Sequence, residues 1–394
     1  MGEGGRVLVV AGEASGDLYG ALLIRELKAR DPGIRVSGIG GTRMKEEGIS
    51  LLADSRDLAV VGLVEVFSHW RPIRAAFRRM VNLLRTDPPD LLLLIDYPDF
   101  NLRLAREASR CRVRVVYFIS PQVWAWRASR ISQIAETVDR LLVILPFEEE
   151  IYRRAAVPVE FVGHPLLDVL PVQWDGRESR GKFGLDPSRR VVGLLPGSRR
   201  REIGFHLPVM LEAAKLLRER VGDFQIVIPL ASSVAPADFE PALGRAEEAL
   251  GKICILDGLP GEALSTMDAA VVKSGTATLE AGLMGVPMVV VYRTAPVTYL
   301  LASLLANVRH VGLVNIVAGK ELVPERVQGR CTPREISEAL AGFLEDPARA
   351  AAVRREMIAL RPLLGEPGCF RRAAEAVLGV LREDSGERAR RVSR

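Results

Sequence analysis

An α/β protein built as two doubly wound domains is what the sequence predicts, on three observations. Short apolar runs carry no polar alternation, amphipathic stretches separate them, and the same grammar starts again after a polar interruption. Strands apolar on both faces belong to parallel sheets covered by helices. Alternation of such strands with helical stretches is the pattern of a doubly wound fold.

The first run, Val7–Val10, is followed by a helical pattern over Leu18–Ala29 and a second run at Val36–Ile39. Leu91–Ile95 and Val113–Ile119 extend this series to about residue 165. The polar stretch Gln173–Lys182 reads as a linker, after which Val191–Leu195, a helix near Leu207–Arg220, Gln225–Pro229, Ala269–Val272 and Val286–Val291 form the second series. The expected organisation is an N-terminal domain over 1–170, a C-terminal domain over 171–345 and a helical segment over 346–394, with 386–394 disordered. A chain of 394 residues suits two such domains.

Composition narrows the class. With 48% hydrophobic and 26% charged residues the chain is neither disordered nor fibrous. A formal charge of +5 suits an anionic partner without choosing among nucleic acid, phosphorylated sugar and anionic lipid. The four cysteines, Cys111, Cys254, Cys331 and Cys369, form no C-x-x-C pair and read as reduced thiols. The run Val7–Val10 is too short for the hydrophobic region of a signal peptide and has no cleavage site after it, and no apolar run reaches the roughly 18 residues that span a bilayer. A cytoplasmic protein is expected, with any membrane contact peripheral.

The chemistry-bearing residues cluster just past the apolar runs. Val7–Val10 empties into Gly12-Glu13-Ala14-Ser15-Gly16-Asp17, and a helix follows directly. Such a turn lies at the carboxyl end of a parallel sheet, where ligands bind and a helix N-terminus favours negative groups. It also reads as a plain tight turn capped by Ser15 or Asp17. It is not G-x-G-x-x-G, and no G-x-x-x-x-G-K-[ST] occurs, which disfavours a dinucleotide cofactor and a P-loop. Leu91–Ile95 ends in Asp96-Tyr97-Pro98-Asp99-Phe100-Asn101, two carboxylates suited to general-base work, although Asp99 also fits a helix cap. Val113–Ile119 ends in a segment carrying Trp124 and Trp126, which line a substrate channel or serve as core.

In the second half, Pro196-Gly197-Ser198-Arg199 follows a strand, and its guanidinium offers a bidentate partner for phosphate. Lys273-Ser274-Gly275-Thr276-Ala277-Thr278-Leu279-Glu280 is a strand, turn and helix start that supplies hydroxyls and amides for a pyrophosphate, with Glu280 one turn on toward the ribose. Together they read as a nucleotide diphosphate site that needs no metal, since no D-x-D occurs. The stretch Val60–Arg85 sets Val61, Leu63, Val66, Phe67, Trp70 and Phe77 beside Arg71, Arg74 and Arg78. It reads equally as a basic amphipathic helix in a bilayer interface and as a stripe packed on the sheet with its arginines solvated.

These residues resemble the lipid-A-disaccharide synthase family. The matching motifs are Ala11 through Asp17, Gly62 with Glu65-Val66, Asp96 through Asn101, Ser120-Pro121 with Val123-Trp124-Ala125-Trp126, Phe161 through Pro165, Leu195 through Arg199, and Ser274 through Glu280. They run in family order over roughly residues 7–331. The resemblance implies a GT-B fold, two Rossmann-like doubly wound domains facing a central cleft. It implies inverting transfer from UDP-2,3-diacylglucosamine to 2,3-diacylglucosamine 1-phosphate, with no cofactor, no metal and no nucleic acid.

The implied catalytic residues are Asp99, Glu13 and Arg199. Gly197, Ser198, Arg199, Ser274, Gly275, Thr276, Thr278, Glu280 and Asn315 are implied to hold the UDP-sugar, and Ser15, Gly16, Asp17, Asp96 and Trp124 to lie on the acceptor side. Peripheral association with the inner membrane and a homodimer with exchanged C-terminal segments are implied as well. One departure is Val61, where the family pattern leads one to expect methionine; it bears on acyl-chain preference. A UDP-N-acetylglucosamine 2-epimerase would share the architecture, and a non-catalytic lipid or nucleotide binder is a third reading.

Overall fold

The computed structural model describes residues 4–55, 65–121, 130–231, 234–258, 260–295, 299 and 309–383. Val61, Leu63 and Trp124, together with the tail 386–394 expected to be disordered, lie outside the described residues. The chain divides into two compact units, one of Met1–Asp168 with Leu364–Arg394 and one of Val169–Leu363.

In the first unit, strands β1 (Arg6–Ala11), β2 (Arg35–Gly40), β3 (Ser50–Asp54), β4 (Leu91–Ile95), β5 (Arg114–Phe118), β6 (Arg140–Val143) and β7 (Val159–Phe161) form one parallel sheet. Its order is β3-β2-β1-β4-β5-β6-β7. β4 is buried along its whole length, as an apolar strand between two helix layers must be. Helices α1 (Ala14–Arg30), α2 (Thr42–Glu46), α3 (Glu65–Thr86) and α4 (Pro98–Arg110) link the first strands.

The second unit repeats the plan. β8 (Val191–Leu195), β9 (Gln225–Pro229), β10 (Ile253–Leu256), β11 (Ala269–Lys273), β12 (Met288–Tyr292) and β13 (Glu325–Val327) are parallel, in the order β10-β9-β8-β11-β12-β13. Counted within each unit, both sheets begin 3-2-1-4-5-6, the doubly wound order in which the chain reverses direction between strands 1 and 4. Ligands bind at that switch point, beyond the carboxyl ends of the two strands. It falls between β1 and β4 in one unit and between β8 and β11 in the other.

The stretch Gln173–Lys182, read as a linker, holds a helix over Gly176–Lys182, capped by Asp175, which accepts from the Arg177 and Glu178 amides at 2.8 and 3.3 Å. Arg180 then ties that helix to Thr266 O and Asp268 inside the second unit. The segment 346–394 is shared between the units, since Pro347–Ile358 belongs to the second and the helix Cys369–Arg382 to the first. That last helix lies on α1, with Phe370 at 6.0 Å from Tyr19 and 6.2 Å from Phe118 between ring centroids. Asp168 accepts from the Gly368 and Phe370 amides, and Arg372 donates to Val162 O at 2.9 Å.

The apolar stripe of α3 packs on the core of its own unit. Ala76, Met80 and Leu84 are buried, and Phe77 meets Phe100 edge-on at 5.4 Å. On the other face Arg71, Arg74 and Arg78 are exposed and line a shallow groove with Ala75.

Candidate functional site

In the first unit β1 and β4 run side by side to Ala11 opposite Ile95, so Gly12 and Asp96 leave the sheet together. Asp96 (φ 45°) and Tyr97 (φ 52°) are both left-handed, a conformation that non-glycine residues adopt at a cost. Three hydrogen bonds hold the turn there. Asp96 N donates to Phe118 O at 3.2 Å, and Asp96 O accepts from Tyr117 Oη at 2.7 Å and Asn101 Nδ2 at 2.6 Å.

That strained turn delivers Tyr97 against Gly12 and starts α4 at Pro98, which places Asp99 in the first helical turn. The Asp99 side chain is 72% exposed and ion-paired with Arg130 at 2.5 Å. Glu13 is the N-cap residue of α1 and is half-buried. Burial pushes the Tyr97 phenol up to about 12, and the negative charges of Glu13 and Asp99 add to the effect. Glu13, Tyr97 and Asp99 therefore share one neighbourhood at the switch point. Ser15 is exposed on α1, and Gly16 is buried, where a Cβ would fall 3.4 Å from that of Ala11 at the end of β1.

Asp17 is committed elsewhere. Its carboxylate accepts from the amides of Gly41, Arg43 and Met44 at 2.7, 3.1 and 3.1 Å, which caps α2.

In the second unit β8 and β11 pair up to Leu195 opposite Val272. The turn after β8 carries Gly197 at φ +120°, with Ser198 exposed and Arg199 as N-cap residue of the helix Arg200–Val221. Across from it, Gly275 precedes the helix Thr276–Leu283, and Thr276 is exposed at its first position. Glu202 sits under both turns. It accepts from Ser198 N at 3.1 Å, Arg199 Nη1 at 3.1 Å and Lys273 Nζ at 2.7 Å. Burial works to raise this carboxyl, but Lys273, Arg199 and the Ser198 amide outweigh it and hold it below the usual carboxylate range. His206 bridges the same helix to the end of β12, its Nδ1 2.8 Å from Glu202 O and its Nε2 accepting from Arg293 N at 2.9 Å. Glu280, half-buried in the helix Thr276–Leu283, is pushed up to about 7 by burial.

Three residues expected to hold the UDP-sugar make hydrogen bonds within the scaffold. Asn315 Nδ2 donates to Val323 O and Glu325 Oε1, and its Oδ1 accepts from Leu322 N and Val323 N, all within 3.0 Å. An amide side chain has two N–H and two lone pairs, so Asn315 has none to spare for a ligand. Thr278 Oγ1 donates to Gly275 O and accepts from Leu313 N. Ser274 Oγ donates to Val311 O at 2.6 Å. Lys273 and Tyr97 lie within the motifs and Glu202 just beyond one of them, and the sequence alone gives none of the three a part. Their signal was positional: Glu202 three residues beyond Arg199 on a helix start, Lys273 last in its strand, and Tyr97 between two carboxylates.

Among the described residues no group of three or more His, Cys, Asp or Glu is placed to hold a metal, and no helix is long and apolar enough to cross a membrane.

The sequence model of the family described as Lipid-A-disaccharide synthetase matches residues 7–377. The chain belongs to the lipid-A-disaccharide synthase family. It is 48% identical over 376 residues to the lipid-A-disaccharide synthase of Geobacter sulfurreducens, covering 95% of this chain and 97% of the relative. It is 45% identical to that of Trichlorobacter lovleyi, covering 97% and 99%. Membership makes the chain a UDP-sugar-dependent hexosyltransferase of lipid A biosynthesis.

Solved structures share its fold. A UDP-GlcNAc 2-epimerase from Neisseria meningitidis bound to UDP-GlcNAc matches at TM-score 0.66 and 14% identity, over 95% of this chain and 100% of that one. CalG4, the calicheamicin glycosyltransferase, matches at 0.59 and 17%, over 96% and 98%. At these identities the likeness is one of GT-B architecture, and the synthase family supplies the chemistry.

Proposed function

We propose that the chain is the inverting transferase that joins UDP-2,3-diacylglucosamine to 2,3-diacylglucosamine 1-phosphate, forming a β-1,6-linked disaccharide and releasing UDP. The observation that carries this reading, beside family membership, is the division of chemistry between the units. Carboxylates and a half-buried phenol stand at the switch point of the first, and cations with two glycine turns at that of the second. An inverting transfer needs a base for the acceptor's 6-hydroxyl on the face opposite the departing UDP. Asp99 fills that part, oriented by Arg130, with Glu13 the neighbouring carboxylate.

The leaving diphosphate needs fixed positive charge and N–H donors, which Arg199, the Gly197–Ser198 turn and the start of the helix Thr276–Leu283 supply. Glu280 is the acceptor for the ribose hydroxyls. No cofactor enters the scheme. In this reading the protein works at the cytoplasmic face of the inner membrane, docked through the arginine face of α3, and a homodimer is compatible with it.

The deciding assay measures UDP released from UDP-2,3-diacylglucosamine with and without the acyl acceptor. Release that requires the acceptor, with a disaccharide product, is expected. Interconversion of UDP-N-acetylglucosamine at its C2 position, with no transfer, would move the chain to the epimerase reading.

A further inference from the structure

Glu202 gathers donors from two separate turns. Ser198 N and Arg199 belong to the turn after β8, whereas Lys273 ends β11, the strand paired with it. The side chains of Lys273 and Glu202 are only 17% and 16% exposed, and that of Arg199 is 35%. A Lys–Glu pair so little exposed does not cheaply stabilise a fold, because desolvation offsets much of the attraction. What such a pair does provide is position.

Two further contacts fix where the ammonium sits. Lys273 Nζ lies 6.0 Å from the Tyr292 ring centre, and a Cβ built on Gly275 would fall 4.0 Å from it. The ammonium is therefore beside the glycine turn that opens the helix Thr276–Leu283, an end with no side-chain cap and of the kind whose first amides suit an anion. An ammonium carries three N–H, and the Glu202 contact uses one.

We infer that Lys273 is a second cation for the nucleotide's diphosphate, and that Glu202 is the positioning residue that sets Lys273 and Arg199 side by side. This rests on the reading of the second unit as the UDP-sugar site. Adjacent cations repel one another in an empty site. A carboxylate between them removes that repulsion and leaves the cluster of Arg199, Lys273 and Glu202 with one net positive charge to meet the phosphates.

Calorimetric titration of the full chain with UDP, and separately with inorganic pyrophosphate, tests the inference. Lys273→Met and Lys273→Gln should each weaken both ligands about tenfold or more, the scale of one charge-assisted hydrogen bond, while Lys273→Arg keeps most of the affinity. Using two uncharged replacements, each checked by its unfolding midpoint, separates lost charge from lost packing.

Glu202→Gln is the sharper case. It adds one net positive charge, so attraction alone predicts tighter binding, whereas the positioning role predicts weaker binding by a similar factor. The double variant with Lys273→Met should lose less than the sum of the two single losses, since Glu202 acts in part through Lys273 and in part through Arg199. UDP binding unchanged in folded Lys273→Met, or tightened in Glu202→Gln, overturns the inference and leaves the nucleotide site standing. A parent chain that binds pyrophosphate but not UDP removes the nucleotide reading, and Lys273 is then judged on pyrophosphate. A parent that binds neither removes both.

Discussion

A Cβ built on Gly12 would fall 2.3 Å from Cγ and Cδ1 of Tyr97, so the ring occupies the space a side chain at position 12 would need. Tyr97 cannot retreat freely, because it stacks on Phe100 at 5.6 Å and belongs to a left-handed turn pinned by three hydrogen bonds. Gly12→Ala should cost about 1–3 kcal/mol, the range for forcing an extra methyl into packed space. It should also disturb Glu13 and Asp99 together, lowering turnover while UDP affinity, a property of the other unit, stays near the parent value. An unfolding midpoint and turnover both equal to the parent's would show that the ring yields without consequence.

Asp99→Asn keeps the shape of the side chain but cannot take a proton. Turnover should fall by about 10² or more, with UDP binding nearly unchanged. The same kinetics on Glu13→Gln provide the comparison. Activity retained by Asp99→Asn and lost by Glu13→Gln would transfer the base to Glu13.

Arg199→Ala removes a guanidinium that is one-third exposed, so the fold should tolerate it. A loss of about 2–4 kcal/mol in transition-state stabilisation is expected, read as a drop of 10²–10³ in kcat/KM. Near-parent activity would end its assignment to the departing UDP.

Glu280 ties stability to pH. Its folded value, about 7, lies above the ordinary 4.5, so the folded chain keeps the proton across a window in which the unfolded chain has lost it. Stability therefore falls as pH rises from about 4.5 to 7, by an amount on the order of 1–3 kcal/mol. Glu280→Gln stays neutral throughout and should remove that slope from the unfolding midpoint plotted against pH. In the parent chain UDP affinity should rise over the same interval, as the carboxylate form becomes available to the ribose. Parallel midpoint curves for parent and variant would exclude Glu280 as the source.

The exposed arginines of α3 make a prediction about surfaces. Each basic residue near an anionic bilayer is worth about 1 kcal/mol, screened by salt. Binding to anionic vesicles should decline with ionic strength, and replacing Arg71, Arg74 and Arg78 together by glutamine should abolish it. Equal binding to neutral and anionic vesicles at every salt concentration would contradict this.

The strands that build the switch points were legible in sequence because they are buried on both faces, and β1, β4, β8 and β11 are each centred on an apolar run. β3, β7 and β13 were not, since Ser50–Asp54, Val159–Phe161 and Glu325–Val327 are short or mixed in polarity and only partly buried. The turns carrying Gly12, Asp99, Arg199 and Gly275 were legible from glycine, serine and charge placed at strand ends. What each polar side chain spends its hydrogen bonds on was not. Asp17 is consumed by amides 24 to 27 residues away, and Asn315 by its neighbours around Val323. Those are properties of the folded packing, and no local spacing encodes them. Glu202 was obscured for the converse reason: its role depends on Lys273, 71 residues further along.

The helix Cys369–Arg382 has a consequence for synthesis on the ribosome. The strands of the first unit are made well before the helix that completes it, and until that helix arrives Tyr19 and Phe118 lack the Phe370 ring that covers them. Translation from Asp168 to Cys369 takes about 10–40 s at 5–20 residues per second. For that interval the nascent N-terminal half carries an open apolar seam along α1, and it is there that a holding chaperone would find its grip.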